Sequence, residues 1–139
     1  MGDAVTMVNM VSRGLYVESR VPMTYLTPST YDYIHTIIPY YGTTTTKLLA
    51  VDGTQIYEIS SGTKSLLGVG FAQYPWQSTS FQALLIMTAR GSTAQSYNGT
   101  VLANLVTTGA AANTLWGCNT FKGRVYYWKW QDDSFWYAA

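Results

Sequence analysis

Residues 47–59, Lys-Leu-Leu-Ala-Val-Asp-Gly-Thr-Gln-Ile-Tyr-Glu-Ile, carry the strongest local signal in the chain. Lys47 to Val51 is a short apolar run of strand length, Asp52-Gly53 marks a tight turn, and Gln55 to Ile59 returns with Ile56 and Glu58 in alternation. A two-residue turn between two such runs predicts a β-hairpin. Ser60-Ser61-Gly62 then supplies the next turn.

The same arrangement recurs about forty residues later, and again after another forty. Ala83 to Thr88 predicts a strand, Arg90 to Ser96 a turn-rich link, and Tyr97-Asn98-Gly99 the end of a second strand. The third copy runs from Gly123 through Val125 and Tyr127, turns at Gln131-Asp132-Asp133 and returns as Ser134-Phe135-Trp136-Tyr137. The aromatic residues follow this period: Tyr41, Phe81 and Phe121, then Tyr57, Tyr97 and Tyr137, then Trp76 with Trp116 and Tyr31 with Phe71, six pairs at an offset of 40 against one and three at offsets of 39 and 41. Chance alone gives about two. A period of this length marks repeat architectures, and about forty residues is one four-stranded propeller blade. Each unit therefore holds at least three strands, with fourth strands expected in Ser65 to Val69 and Thr100 to Val106. Gly109 to Asn113 reads as a loop between units.

These signals predict an all-β fold of about three propeller-like blades of antiparallel strands, a partial or oligomer-completed β-propeller, with a β-sandwich or jelly roll as the alternative. Residues 37–139 hold the three repeats. Residues 1–36 lack the hairpin signature and form an N-terminal arm or edge-capping segment, in which Gly14 to Val17 and Met23 to Leu26 are candidate strands and Ala4 to Ser12 is dense enough in apolar residues to be a helix.

Composition narrows the function. The 139 residues include eight basic and seven acidic side chains, and charged residues make up 11% against 15% aromatic. Disordered chains show the opposite profile. Solvated monomers usually carry about 25–35% charged residues at the surface, so much of this surface is expected to be neutral and polar or covered by neighbouring chains. Near-zero net charge disfavours electrostatic binding to nucleic acid or to an acidic membrane. The densest basic cluster, Lys122, Arg124 and Lys129, is followed directly by Asp132 and Asp133. There is no secretory signal pattern and no run of eighteen apolar residues; synthesis in a cytoplasm is expected.

Candidate catalytic groups are sparse. His35 is the one histidine, with Asp32 three residues before it, and Cys118 the one cysteine. A zinc site of nitrogen and sulfur ligands is thereby excluded, and Cys118 is expected to be a small buried side chain. Asp132 and Asp133 are adjacent, so on a strand they would point to opposite faces, and Asp52 is first a turn residue. Glu58 has no identifiable partner. No phosphate-binding glycine loop occurs, and Asn98-Gly99-Thr100 is expected to be a turn and not a glycosylated site. No enzyme activity, no cofactor and no metal are expected.

The C-terminal aromatics remain. Strand alternation puts Tyr127 with Val125 on one face and Tyr126, Trp128 and Trp130 on the other, both apolar, as in a strand buried between blades or under a neighbour. Tyr126, Trp128, Trp130 and Trp136 are the candidate interface residues.

The ordered motifs Asp52, Gly53, Ile56 and Tyr57; Trp76 and Phe81; Tyr97, Asn98 and Gly99; Phe121, Lys122, Arg124 and Val125; and Trp136 and Tyr137 resemble the N-terminal blades of the β-propeller structural proteins of tailed-bacteriophage tails and necks. The resemblance covers roughly residues 37–139. It implies a non-enzymatic virion protein, made in the host cytoplasm and assembling with other tail, neck or portal-proximal proteins, outside any membrane, with DNA contact left open. Members of that family run to several hundred residues and close a ring. Three blades imply either continuation by further blades or a homo-oligomer, two copies of three giving a six-bladed ring. The alternatives are a carbohydrate-binding propeller lectin, for which Trp76 and Trp116 repeat but Arg90 and Glu58 do not, and a capsid decoration or adhesion protein.

Overall fold

A computed structural model describes residues 10–13, 16–19, 34–60, 63–129 and 135–138. Among them the chain is all-β and antiparallel, with one short 3-10 turn at Ala112–Thr114 and no α-helix. Strands β1 (Met10–Arg13) and β2 (Tyr16–Ser19) pair with each other as a hairpin. Met10 to Ser12 therefore lie in a strand, and the rest of the candidate helix Ala4 to Ser12 lies outside the described residues. Met23 to Leu26 lie outside the described residues.

Three larger sheets follow in chain order. Sheet I is β3 (Ile34–Tyr41), β4 (Thr46–Asp52), β5 (Gln55–Glu58) and β6 (Ser65–Val69). Sheet II is β7 (Gln77–Phe81), β8 (Leu84–Thr88), β9 (Gln95–Tyr97) and β10 (Leu102–Asn104). Sheet III is β11 (Leu115–Phe121), β12 (Arg124–Lys129) and β13 (Phe135–Ala138). Every strand pairs with its neighbour in sequence, so each sheet is a simple meander, whereas a jelly roll would interleave distant strands. No ring is closed among the described residues. Sheet I begins at Ile34, so its first strand takes in Ile34 to Thr36 as well as the expected repeat.

The forty-residue period has a structural meaning. Tyr41, Phe81 and Phe121 each end the first strand of a sheet, and Tyr57, Tyr97 and Tyr137 each lie in a third strand. The first turns differ. Sheet I uses the four residues 42–45, closed by Gly42 N–H donating to the Thr45 carbonyl at 2.9 Å; sheets II and III use two residues, Gln82-Ala83 and Lys122-Gly123. In the hairpin of residues 47–59, Asp52 pairs with Gln55 and the turn is Gly53-Thr54, one residue later than expected. Gly53 has a φ of 57°, a left-handed conformation that glycine adopts without penalty.

The sheets stack face to face in order. Strand β8 reads Leu-Leu-Ile-Met-Thr because both its faces are covered. Leu85 and Met87 pack with Ile38, Leu49, Val51 and Ile56 of sheet I, while Ile86 packs with Leu115, Cys118, Val125 and Tyr127 of sheet III. First strands of successive sheets also touch. The Trp76 backbone N–H donates to Thr36 Oγ1 at 3.1 Å, and Thr120 Oγ1 donates to the Ser80 carbonyl at 3.0 Å while lying 2.9 Å from Thr79 Oγ1.

Tyr40 stitches sheet I to sheet II. Its ring meets Tyr97 edge-on at 5.2 Å, and its hydroxyl lies 3.0 Å from the Ala83 carbonyl and 2.9 Å from the Asn98 carbonyl, sharing one proton between them. The Asn98 turn is fixed by its own side chain, whose Oδ1 accepts from the N–H groups of Thr100 and Val101 at 3.0 and 2.8 Å. Asn98-Gly99-Thr100 thus forms the expected turn. Gly99 is required there: its φ is 94° and an added Cβ would stand 2.8 Å from the Tyr40 ring.

Candidate interface and cleft

Sheet III buries one face and bares the other. Register places Trp128 opposite Phe135, Tyr126 opposite Tyr137 and Arg124 opposite Phe121, and residues opposed in an antiparallel pair share a face. On this outer face Phe121, Phe135 and Tyr137 are 61%, 67% and 58% exposed. Tyr126 lies at its centre with ring centroids 6.1 Å from Phe135 and 6.0 Å from Tyr137. The Arg124 guanidinium stands 4.9 Å over the Tyr137 ring and the Lys122 ammonium 5.4 Å over Phe121. The basic cluster of the sequence is therefore draped over aromatic faces, two of its members here and Lys129 4.2 Å over Trp136.

Two of the four candidate interface residues, Tyr126 and Trp128, share this outer face. Trp136 does not: it lies opposite Tyr127 on the inner face, half-buried against the core between sheets II and III. Trp130 falls outside the described residues. Alternation along Val125 to Trp130 does not reach Trp136, whose facing is set by the register of β13 on β12.

The isolated titratable groups are tied into the framework. His35 Nε2 donates to the Gly53 carbonyl at 3.0 Å, with Thr36 Oγ1 3.3 Å from Nδ1; Asp32 lies outside the described residues, as do Asp132 and Asp133. Glu58 has partners after all. It accepts from Lys47 Nζ at 3.2 Å and from the Ser60 N–H at 3.1 Å, and hydrogen bonding from Ser60, aided by Lys47 against the opposing push of burial, holds its carboxyl below the usual range. Lys47 lies diagonally across β4 and β5 from Glu58, two residues from Leu49, with which Glu58 is registered.

Asp52 is buried and pairs with Lys64 at 3.1 Å. The Lys64 ammonium also stands 4.0 Å over the Tyr57 ring. Cys118 is buried as expected, and burial pushes its thiol up to about 11, so it stays protonated and unreactive at neutral pH. Among the described residues no three His, Cys, Asp or Glu side chains gather as a metal set, and no helix is long and apolar enough to cross a membrane.

Two concavities open at the junction of sheets II and III. One, of about 370 Å³, is lined almost wholly by apolar side chains, including Leu84, Ile86, Leu105, Ala110, Leu115 and Trp136. The other, of about 290 Å³, is walled by Tyr74, Pro75, Gln77, Arg90, Trp116 and Trp128. A β-bulge builds it. Leu115 pairs with Lys129 and Gly117 with Trp128, leaving Trp116 as the extra residue. The Trp128 ring then lies across Gly117, where an added Cβ would stand 2.0 Å from its Cζ2. Arg90 sits 5.2 Å over the Tyr74 ring on the opposite wall.

The register of Trp76 with Trp116, and the lack of a counterpart to Arg90 at offset forty, were visible in the sequence, whereas Tyr74, Pro75 and Gln77 gave no signal of their own. Compared with known protein families, with curated proteins and with solved structures, the chain matches none.

Proposed function

We propose that this chain is a non-enzymatic structural component of a tailed-phage virion, a tail or neck assembly protein that works through subunit interfaces, with sheets I to III as blade-like units. The observation that carries the reading is the bare outer face of sheet III. In sheet II the corresponding face, with Ile86, is covered by sheet III; in sheet III it presents Phe121, Tyr126, Trp128, Phe135 and Tyr137 with nothing stacked on it among the described residues. A contiguous aromatic patch rimmed by cations is the composition of an interface core. The low charge of the chain, and meanders linked in the order expected of blades, support the same reading. The partner is a further blade-like sheet, from a second copy or from another tail, neck or portal-proximal protein.

Sedimentation across a wide concentration range tests it. The expected result is reversible association that the double substitution Phe135→Ser with Tyr137→Ser abolishes while leaving the thermal midpoint nearly unchanged. A chain that stays monomeric throughout overturns the interface reading, and an antibody to the chain that marks no position on tailed particles overturns the virion assignment.

A further inference from the structure

Trp76 and Trp116 stand forty residues apart at the starts of two successive sheets, but they do different things. Trp76 is 4% exposed and meets Phe71 edge-on at 5.4 Å, closing the junction of sheets I and II. Trp116 is carried by the bulge to the wall of the smaller cleft, where Trp128, exposed and laid flat over Gly117, is its neighbour. Arg90 and Gln77 line the same cleft as the two indoles.

We propose that the cleft is a glycan site that takes one pyranose ring, its C–H face stacked on an indole and its hydroxyls held by Arg90 and Gln77. A sugar ring is apolar on its faces and hydrogen-bonding around its rim. The cleft has the matching chemistry: flat aromatic walls from Tyr74, Trp116 and Trp128, the donor fork of Arg90, and the donor and acceptor ends of the Gln77 amide. Its volume of about 290 Å³ is at the small end of ligand clefts, roughly 300–1,000 Å³, which suits a single ring. Among the described residues no carboxylate lines it, so an ammonium ligand would find no counter-charge there. The formal net charge of +1 gives little attraction for a polyphosphate backbone. The site does not rest on the virion reading, since the cleft is complete within one chain; Trp128 also belongs to the outer face of sheet III, so the titration is run at a concentration where the chain is monomeric.

The test follows the indole N–H signals of labelled protein, assigned by single Trp→Phe substitutions, during titration with free methyl glucoside, galactoside, mannoside and N-acetylglucosaminide. The expected result is saturable movement of the Trp116 and Trp128 signals with at least one sugar while the buried Trp76 signal stays fixed. Arg90→Ala and Gln77→Ala should each weaken that binding by about tenfold, the loss of one hydrogen-bonding partner, with the Trp76 signal unmoved as the mark of an intact fold. Three outcomes overturn the proposal: no sugar moves either signal; a proline-rich peptide or a nucleoside monophosphate moves them where sugars do not; or sugar binding survives both substitutions undiminished.

Discussion

Among the described residues, large buried side chains pack the junction of sheets I and II, while that of sheets II and III has two concavities. At the first, Tyr40, Trp76, Leu85 and Met87 fill the space and Gly99 presses against the Tyr40 ring. At the second, the core side chains are smaller, Cys118, Ala94 and Ala110 among them, and the two concavities remain. The same repeat has thus been used in two ways. Large aromatics at one junction fix the relative position of two sheets; small residues and a bulge at the next leave room. Stability should be concentrated at the first junction and binding at the second.

The sharpest way to break this contrast is to place the same methyl group at a glycine of each region. Gly99 and Gly109 both have positive φ, 94° and 86°, so alanine is strained at either. Gly99 adds a collision with Tyr40, whereas nothing lies within 4 Å of a Cβ at Gly109. Gly109→Ala is expected to cost about 1 kcal/mol from backbone strain, and Gly99→Ala about 3 kcal/mol because it also dislodges the ring and its hydrogen bonds. Urea unfolding of the two variants measures the difference; equal costs would mean that Tyr40 is not the clamp described.

Alkaline pH should load the second junction selectively. Burial pushes the Cys118 thiol from an ordinary value near 9 to about 11. A group whose folded pKa is raised contributes stability that is whole below its unfolded pKa and lost as pH rises through the folded one. Cys118 therefore removes stability between about pH 9 and 11, to a total on the order of 3 kcal/mol. The Tyr127 hydroxyl, also buried at this junction and pushed up to about 12, extends the loss in the same direction. Cys118→Ala should flatten the first part of that fall in a pH series of denaturant midpoints, even though it lowers stability at neutral pH.

The hairpin of residues 47–59 and the fourth strands were legible in the sequence because turn chemistry and apolar runs are local. The aromatic period was legible too, but its meaning was only half visible. Tyr57 and Tyr97 lie opposite Ala50 and Leu85 and point toward the preceding side, while Tyr137 lies opposite Tyr126 and points the other way. Its inward place is taken by Trp136. Nothing in the spacing of aromatics reports a one-residue change of facing, since that is decided by how β13 registers on β12. The Lys47 to Glu58 pair and the wall of Tyr74, Gln77 and Arg90 were hidden for a different reason. They join residues whose proximity exists only once strands pair and sheets stack.

Two buried alanines give the smallest test and the most direct one of whether the second junction is truly loose. Ala89 is fully buried in the first junction, and Ala110 lines the apolar cavity of the second. Two extra methyl groups at position 89 have no space to enter, so Ala89→Val should force neighbouring side chains from their rotamers and cost about 1–2 kcal/mol. At position 110 the same methyl groups project toward about 370 Å³ of apolar space. Removing them from water without strain should raise stability by about 1 kcal/mol. Opposite signs in the two thermal midpoints mean that sheets I and II form the rigid body and that sheet III packs on it with room to spare. A loss at both positions would mean that the second junction is already as tight as the first, and that its cavity closes around the alanine in solution.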